Sequence, residues 1–238
     1  MLKSILIKTA AASILIGSLG VSANQTVDLF SDVQGSQSIR NGTVYNSASG
    51  ANIIGGQRDI TITSGSNVKA ETEVFGNELV IGSSVTTSGA TPTNTTFTVE
   101  VQWDGVDTAA DTSILDLTPG INPAADFSTL NGFSATINQS DGSGFFDIDI
   151  HTSAPGFTTV QLPFAPVTLG SPVTFSIPFA FFLPSIDLSS VIAIVLKMTS
   201  VGVTDINVSS ISAVPAPSSL AVLGLGLLAF AGFARRKV

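Results

Sequence analysis

Cysteine is absent from this 238-residue chain, and histidine, tryptophan and tyrosine occur once each. Without cysteine there is no disulfide, no thiol nucleophile and no cysteine-ligated zinc. The lone histidine, His151, excludes an all-histidine metal site. No G-x-S-x-G or similar nucleophile motif accompanies it, so it reads as a surface or loop residue at a strand end. Basic residues are also scarce. All 17 acidic residues lie between Asp28 and Asp205, whereas five of the 9 basic ones (Lys3, Lys8, Arg235, Arg236, Lys237) lie at the two ends. Residues 24–213 therefore keep four cations (Arg40, Arg58, Lys69, Lys197) against 17 anions, a formal charge of −13. Such a body has no basic stripe for nucleic acid, and its self-repulsion favours solubility.

The two ends carry long apolar runs. Residues 1–23 place Lys3 and Lys8 before an apolar stretch from Thr9 to Leu19, followed by Val21-Ser22-Ala23. That is the layout of a secretory signal peptide, with cleavage after Ala23 leaving Asn24 as the new N-terminus. Residues 214–238 begin Val214-Pro215-Ala216-Pro217-Ser218-Ser219. The prolines stop a helix from running upstream, and Ser218 or Ser219 can cap the one that follows. Leu220 to Ala234 carries no charge, and Arg235, Arg236 and Lys237 end it. As a helix this run spans roughly 22 Å, and snorkelling arginines and interfacial flanks extend its reach across a bilayer. The basic cluster stays on the cytoplasmic side.

The order V-P-A-P-S-S-L-A-V-L-G-L-G-L-L-A-F-A-G-F-A-R-R-K resembles the PEP-CTERM sorting signal, also known as an ice-binding-protein C-terminal domain. The family pattern is Pro-Glu-Pro, a transmembrane helix and an arginine-rich end; this chain departs from it at Ala216. The resemblance implies handling by an exosortase-type membrane enzyme, and export in bacteria that make exopolysaccharide. It makes Pro215, Ala216 and Pro217 the sorting motif and Arg235, Arg236 and Lys237 the membrane stop. An ice-binding role would call for a flat, fixed-period threonine array, and the sequence has no such repeat.

Residues 24–213 read as one all-β domain, a two-sheet sandwich or jelly roll of ten to twelve strands. In Thr96 to Trp103, Phe97, Val99, Val101 and Trp103 share one face. Phe146, Ile148 and Ile150 alternate with Asp147 and Asp149, and Ile192 to Leu196 is apolar on both sides, as a central strand would be. Residues 205–212 set Ile206, Val208 and Ser210 against Asn207, Ser209 and Ile211. Gly76-Asn77 predicts a tight hairpin, and Asp141-Gly142-Ser143-Gly144 a second one. Six prolines between Pro155 and Pro184 predict short or edge strands there. The succession Asp116-Leu117-Thr118, Asn131-Gly132-Phe133, Phe145–Ile150 and Ile186–Val191 resembles carbohydrate-binding-module jelly rolls. Gly55-Gly56-Gln57-Arg58-Asp59 resembles a turn found in other PEP-CTERM proteins.

Several side chains carry possible chemistry. Asp147 and Asp149 share a strand face and Asp141 sits in the adjoining turn; as oxygen ligands they would suit calcium, although the loop pattern of an EF-hand is missing. Asp104, Asp107 and Asp111 form a second acidic group after Trp103. The four glutamates (Glu71, Glu73, Glu78, Glu100) show no arrangement typical of glycoside hydrolysis. Trp103 and the 15 phenylalanines read as core. The sequence thus predicts an exported, membrane-tethered surface or matrix protein associated with exopolysaccharide, non-enzymatic and needing no cofactor. The alternative is an extracellular carbohydrate-active hydrolase on the same scaffold, with Glu100 or Asp147 as catalyst.

Overall fold

The computed structural model describes residues 23–85, 96–107, 117, 120–154, 156–182, 186–200, 202, 204 and 205–215. Residues 1–22 of the expected signal peptide and the expected C-terminal membrane helix lie outside them, as do Ala216, Pro217, Arg235, Arg236 and Lys237. Among the described residues no helix is long and apolar enough to cross a membrane.

The described residues form eleven strands: β1 (Gln25–Asp28), β2 (Gln34–Ser49), β3 (Gln57–Phe75), β4 (Glu78–Val85), β5 (Phe97–Trp103), β6 (Gly132–Ser140), β7 (Gly144–Thr152), β8 (Phe157–Phe164), β9 (Val173–Pro178), β10 (Val191–Ser200) and β11 (Ile206–Val214). All pairings are antiparallel. β3 belongs to two sheets. Its first half pairs β5 through Asp59–Ser64 and its second half pairs β4 through Val68–Phe75. β2 follows it along both halves, with a register shift between Arg40 and Gly42 where Asn41 and Gly42 have positive φ. This bulge lets the ribbon bend from one layer to the other. The front sheet runs β8-β7-β10-β5-β3-β2, and the back sheet runs β9-β6-β11-β4-β3-β2, with β1 added beside β11. The result is an all-β sandwich.

Period-2 alternation fills the space between the sheets. Phe97, Val99, Val101 and Trp103 from the front meet Leu79, Ile81, Val208 and Phe133 from the back in one cluster. β10 lies between β5 and β7, a central position that its apolar residues on both faces require. The proline-bearing strands β8 and β9 are the outer edges, where a missing N–H leaves no ladder bond broken. Gly76 and Asn77, both with positive φ, close the β3–β4 hairpin.

Three expectations need correction. Asp141 to Ser143 does not close a hairpin: β6 pairs β9 and β11, whereas β7 pairs β8 and β10, so this turn is a corner between the sheets. A turn sequence fixes the local bend, while the partners are chosen by longer-range burial. In β11 a register shift between Val208 and Ser210 inserts one residue, so Ile211 rather than Ser210 reaches the core. Not all phenylalanines are core: Phe75, Phe145, Phe157 and Phe181 are exposed, the second and third because they occupy outward-facing strand positions.

One end of the sandwich holds both Gln25, paired with Ala213, and the end of β11 at Val214. This tail end also carries residues 50–56, 104–107, 120–131, 179–182 and 186–190. The far end carries the corner at 141–143 and the turn at 165–172.

Candidate functional site

Outward residues of the front sheet line up in rows across the strands. One row is Tyr45, Thr61, Glu100, Lys197, Asp147 and Gln161; the next toward the tail end is Ser47, Asp59, Gln102, Val195, Asp149 and Thr159. Toward the far end Thr43, Thr63, Thr98 and Thr199 run into Phe145 and Pro163. At strand spacing the face is about 24 Å wide. Its centre is polar: Gln102 donates to Glu100 at 2.6 Å and Gln161 to Asp147 at 2.8 Å. Its margins carry exposed rings, Tyr45 near β2, and Phe145 and Phe157 near β8. Phe157 stacks on His151 with centroids 5.1 Å apart and a 20° interplanar angle. Burial pushes the His151 imidazole down, opposed by the neighbouring Asp149 carboxylate, so the ring is neutral near pH 7. Two buried acceptors on this face, Gln102 Oε1 and Asp149 Oδ1, receive no hydrogen bond from the described residues.

The tail end of this face holds an acidic cluster. Asp59 of β3 meets Asp104 and Asp107, which follow β5, with carboxylate oxygens all within 4.8 Å of one another. Gly105 makes the approach possible. It has a φ of +100°, and a Cβ there would lie 2.2 Å from the Gly120 carbonyl oxygen. Gln57 spans the cluster: its Nε2 donates to Asp59 at 3.0 Å and to Asp107 at 2.7 Å, and its Oε1 accepts from the Asp107 N–H at 3.2 Å. Burial pushes the Asp59 carboxyl up to about 7, against the Gln57 hydrogen bond and with help from Asp107 and Asp104. The oxygen donors match what a hard cation takes, and the Gln57 amide already occupies two of the three carboxylates.

The preceding residue, Arg58, points the other way, between the sheets. Its side chain is fully buried, with Nη1 donating to Asp28 Oδ2 at 2.7 Å, Nε to Gln34 at 2.9 Å and Nη2 to the Asp32 carbonyl at 2.7 Å. Trp103 Nε1 donates to the same Asp28 oxygen, and the Phe30 N–H to the other. Arg58 also lies 5.5 Å from the Phe30 ring centroid.

The sequence-predicted residues divide between these places. Asp147 and Asp149 lie on the front face. Asp141 is at the sheet-crossing corner, where its carboxylate accepts from the Asp205 N–H, so the structure does not bring the three together. Asp104 and Asp107 do come together, with Asp59 as their third partner; Asp111 lies outside the described residues. Glu71 and Glu73 line a shallow back-sheet groove of about 480 Å³ with Ser36, Gln139, Asp205 and Asn207. Glu78 accepts from Asn138 and Asn207. Ala23 and Asn24 are exposed just before β1, and Pro215 directly follows β11.

Comparison with solved structures returns carbohydrate-binding modules and an agarase, all at 15% identity or less. A family 11 carbohydrate-binding module from a cellulosomal cellulase of Clostridium thermocellum is 15% identical, with TM-score 0.43, over 83% of this chain and 97% of that one. The same module in complex with a β-1,3-1,4-mixed-linked tetrasaccharide gives 14%, 0.40, 82% and 98%. An agarase gives 12% and 0.39, over 82% of this chain but 25% of its own. No curated protein matches. Residues 213–237 match the family model of the PEP-CTERM protein-sorting motif.

Proposed function

We propose that this chain is an exported, membrane-tethered surface protein, not an enzyme, that holds exopolysaccharide on the outer face of its front sheet after sorting by an exosortase-type partner. The sorting motif supports export and anchoring. The observation that carries the binding assignment is the pairing of exposed rings at both margins of the front face with a polar centre. Apolar sugar faces pack on rings such as Tyr45 and Phe157, while Lys197, Glu100, Asp147 and Gln161 offer donors and acceptors to hydroxyl groups. Binding of this kind needs no cofactor and no catalytic pair. The acidic body disfavours polyanionic glycans and leaves neutral ones as the preferred class. Lys197 stands between Glu100 and Asp147 in the row, which sets donors and acceptors side by side for hydroxyl groups.

The test is affinity of the full-length chain, held in lipid nanodiscs, for exopolysaccharide from its own host. Tyr45→Ala with Phe157→Ala should weaken binding at least about ten-fold, or ~1.4 kcal/mol. No binding by the parent chain, or equal binding by the double variant, sinks the assignment.

A further inference from the structure

The match to the sorting motif begins at Ala213, which is fully buried and paired with both Gln25 and Phe133. The next residue, Val214, still pairs with Gly132, and its carbonyl accepts from the Asn131 N–H. No spacer therefore separates the sandwich from the motif. Residues 215–219 are all that lie between β11 and the apolar run starting at Leu220, and fully extended they reach at most about 18 Å. The ten-residue strand β10 alone is about 33 Å long. The tether is shorter than the body is tall, so the tail end is kept beside the bilayer.

That end is also chemically suited to a lipid surface. Leu29, Val106 and Phe181 are 42%, 56% and 61% exposed there. Leu29 lies by the 51–54 turn, Val106 follows β5, and Phe181 is in the short 3-10 turn after β9. Phe145, Leu169 and Val173 are exposed toward the far end, but the tether cannot bring lipid to them while the strands stand upright. Asp126 and Asp187 are at the tail end as well, held ionised by hydrogen bonds from Ser128 and Ser189, which favours a zwitterionic over an anionic headgroup layer.

We infer that the tail end of the sandwich is a lipid-contacting surface: Leu29, Val106 and Phe181 rest in a zwitterionic headgroup layer, and the strands stand upright on the membrane. This rests on the tethering in the proposed function. Exposed apolar side chains gain from partial burial at such an interface, and the short tether removes most of the entropic cost of bringing them there.

The absence of cysteine makes a clean test. The full chain carrying Ala51→Cys (tail end) or Ser143→Cys (far end) is labelled with a fluorophore. It is then reconstituted in phosphatidylcholine vesicles containing headgroup-quencher lipid. Quenching should be several-fold stronger at residue 51 than at 143, and adding Val106→Ser with Phe181→Ser should lower the quenching at residue 51 while the tether keeps it above that at 143 and the protein still floats with the vesicles. Equal quenching at the two positions, or a difference unaffected by the serine pair, overturns the inference. A chain that does not float with vesicles overturns the tethering itself, a separate and distinguishable failure.

Discussion

Arg58 and Asp59 are neighbours in sequence and opposites in environment. Arg58 enters the core and meets a complete set of partners: one carboxylate, one amide oxygen, one carbonyl and a ring face. Asp59 emerges on the outer face among two more carboxylates, with a single amide to hold them. One strand step therefore separates a buried charge that is neutralised by an ion from one that is neutralised by a proton. The difference shows that burial alone does not decide how a charge is tolerated; the charges aimed at it do.

The comparison can be broken from either side. Removing the counter-ion should be the most damaging change. Asp28→Ala leaves the Arg58 guanidinium buried without its anion and strips the Phe30 and Trp103 N–H groups of their acceptor. A loss of about 3–5 kcal/mol is expected, measured by urea unfolding of the full chain in detergent.

Removing the charge on the other face should do the reverse. The folded chain keeps the Asp59 proton up to about pH 7, whereas an unfolded chain releases it near about pH 4. The folded state thus binds more protons between those values, and its stability falls as pH rises through this window and levels off above it. Asp59→Asn should leave stability unchanged below about pH 4 and raise it by up to roughly 4 kcal/mol at pH 8. Melting temperatures across pH 4–8 check this; a parallel offset between the two curves would refute it.

Gln57→Ala sharpens the same point. It removes the amide between Asp59 and Asp107 and should cost about 1–3 kcal/mol, more at pH 8 than at pH 5, by the same melting series. The exposed pair is the mild counterpart to Arg58 and Asp28. Lys69 and Glu71 are as close, at 2.6 Å, yet both are more than a third exposed. Lys69→Met should therefore change stability by less than about 1 kcal/mol, in the same urea titration.

Much of the fold could be read along the chain because alternation reports burial directly. The faces of β5 and β7, the central place of β10, the Gly76-Asn77 hairpin and the edge positions of β8 and β9 all follow from local pattern. Partner choice does not. The Asp141 to Gly144 stretch has the composition of a hairpin loop, and only the competing neighbours of β6 and β7 make it a corner. The front-face rows were equally hidden, since register across six strands is a tertiary property. Asp104 and Asp107 were visible as a cluster, but Asp59 is some 45 positions away and joins them only through β3–β5 pairing. Arg58 did leave a trace. It shares parity with Ile60 and Ile62, which places it on the inward face. A lone cation in phase with core residues signals a buried network.

The pairing of Gln25 with Ala213 also dictates when the protein can be finished. β11 lies inside the back sheet, flanked by β6 on one side and by β4 and β1 on the other. That sheet has no middle until residue 214 has been made, and the first strand must wait for the last. The match to the sorting motif begins inside β11, at Ala213, so the strand that closes the sheet is also the first stretch of the motif.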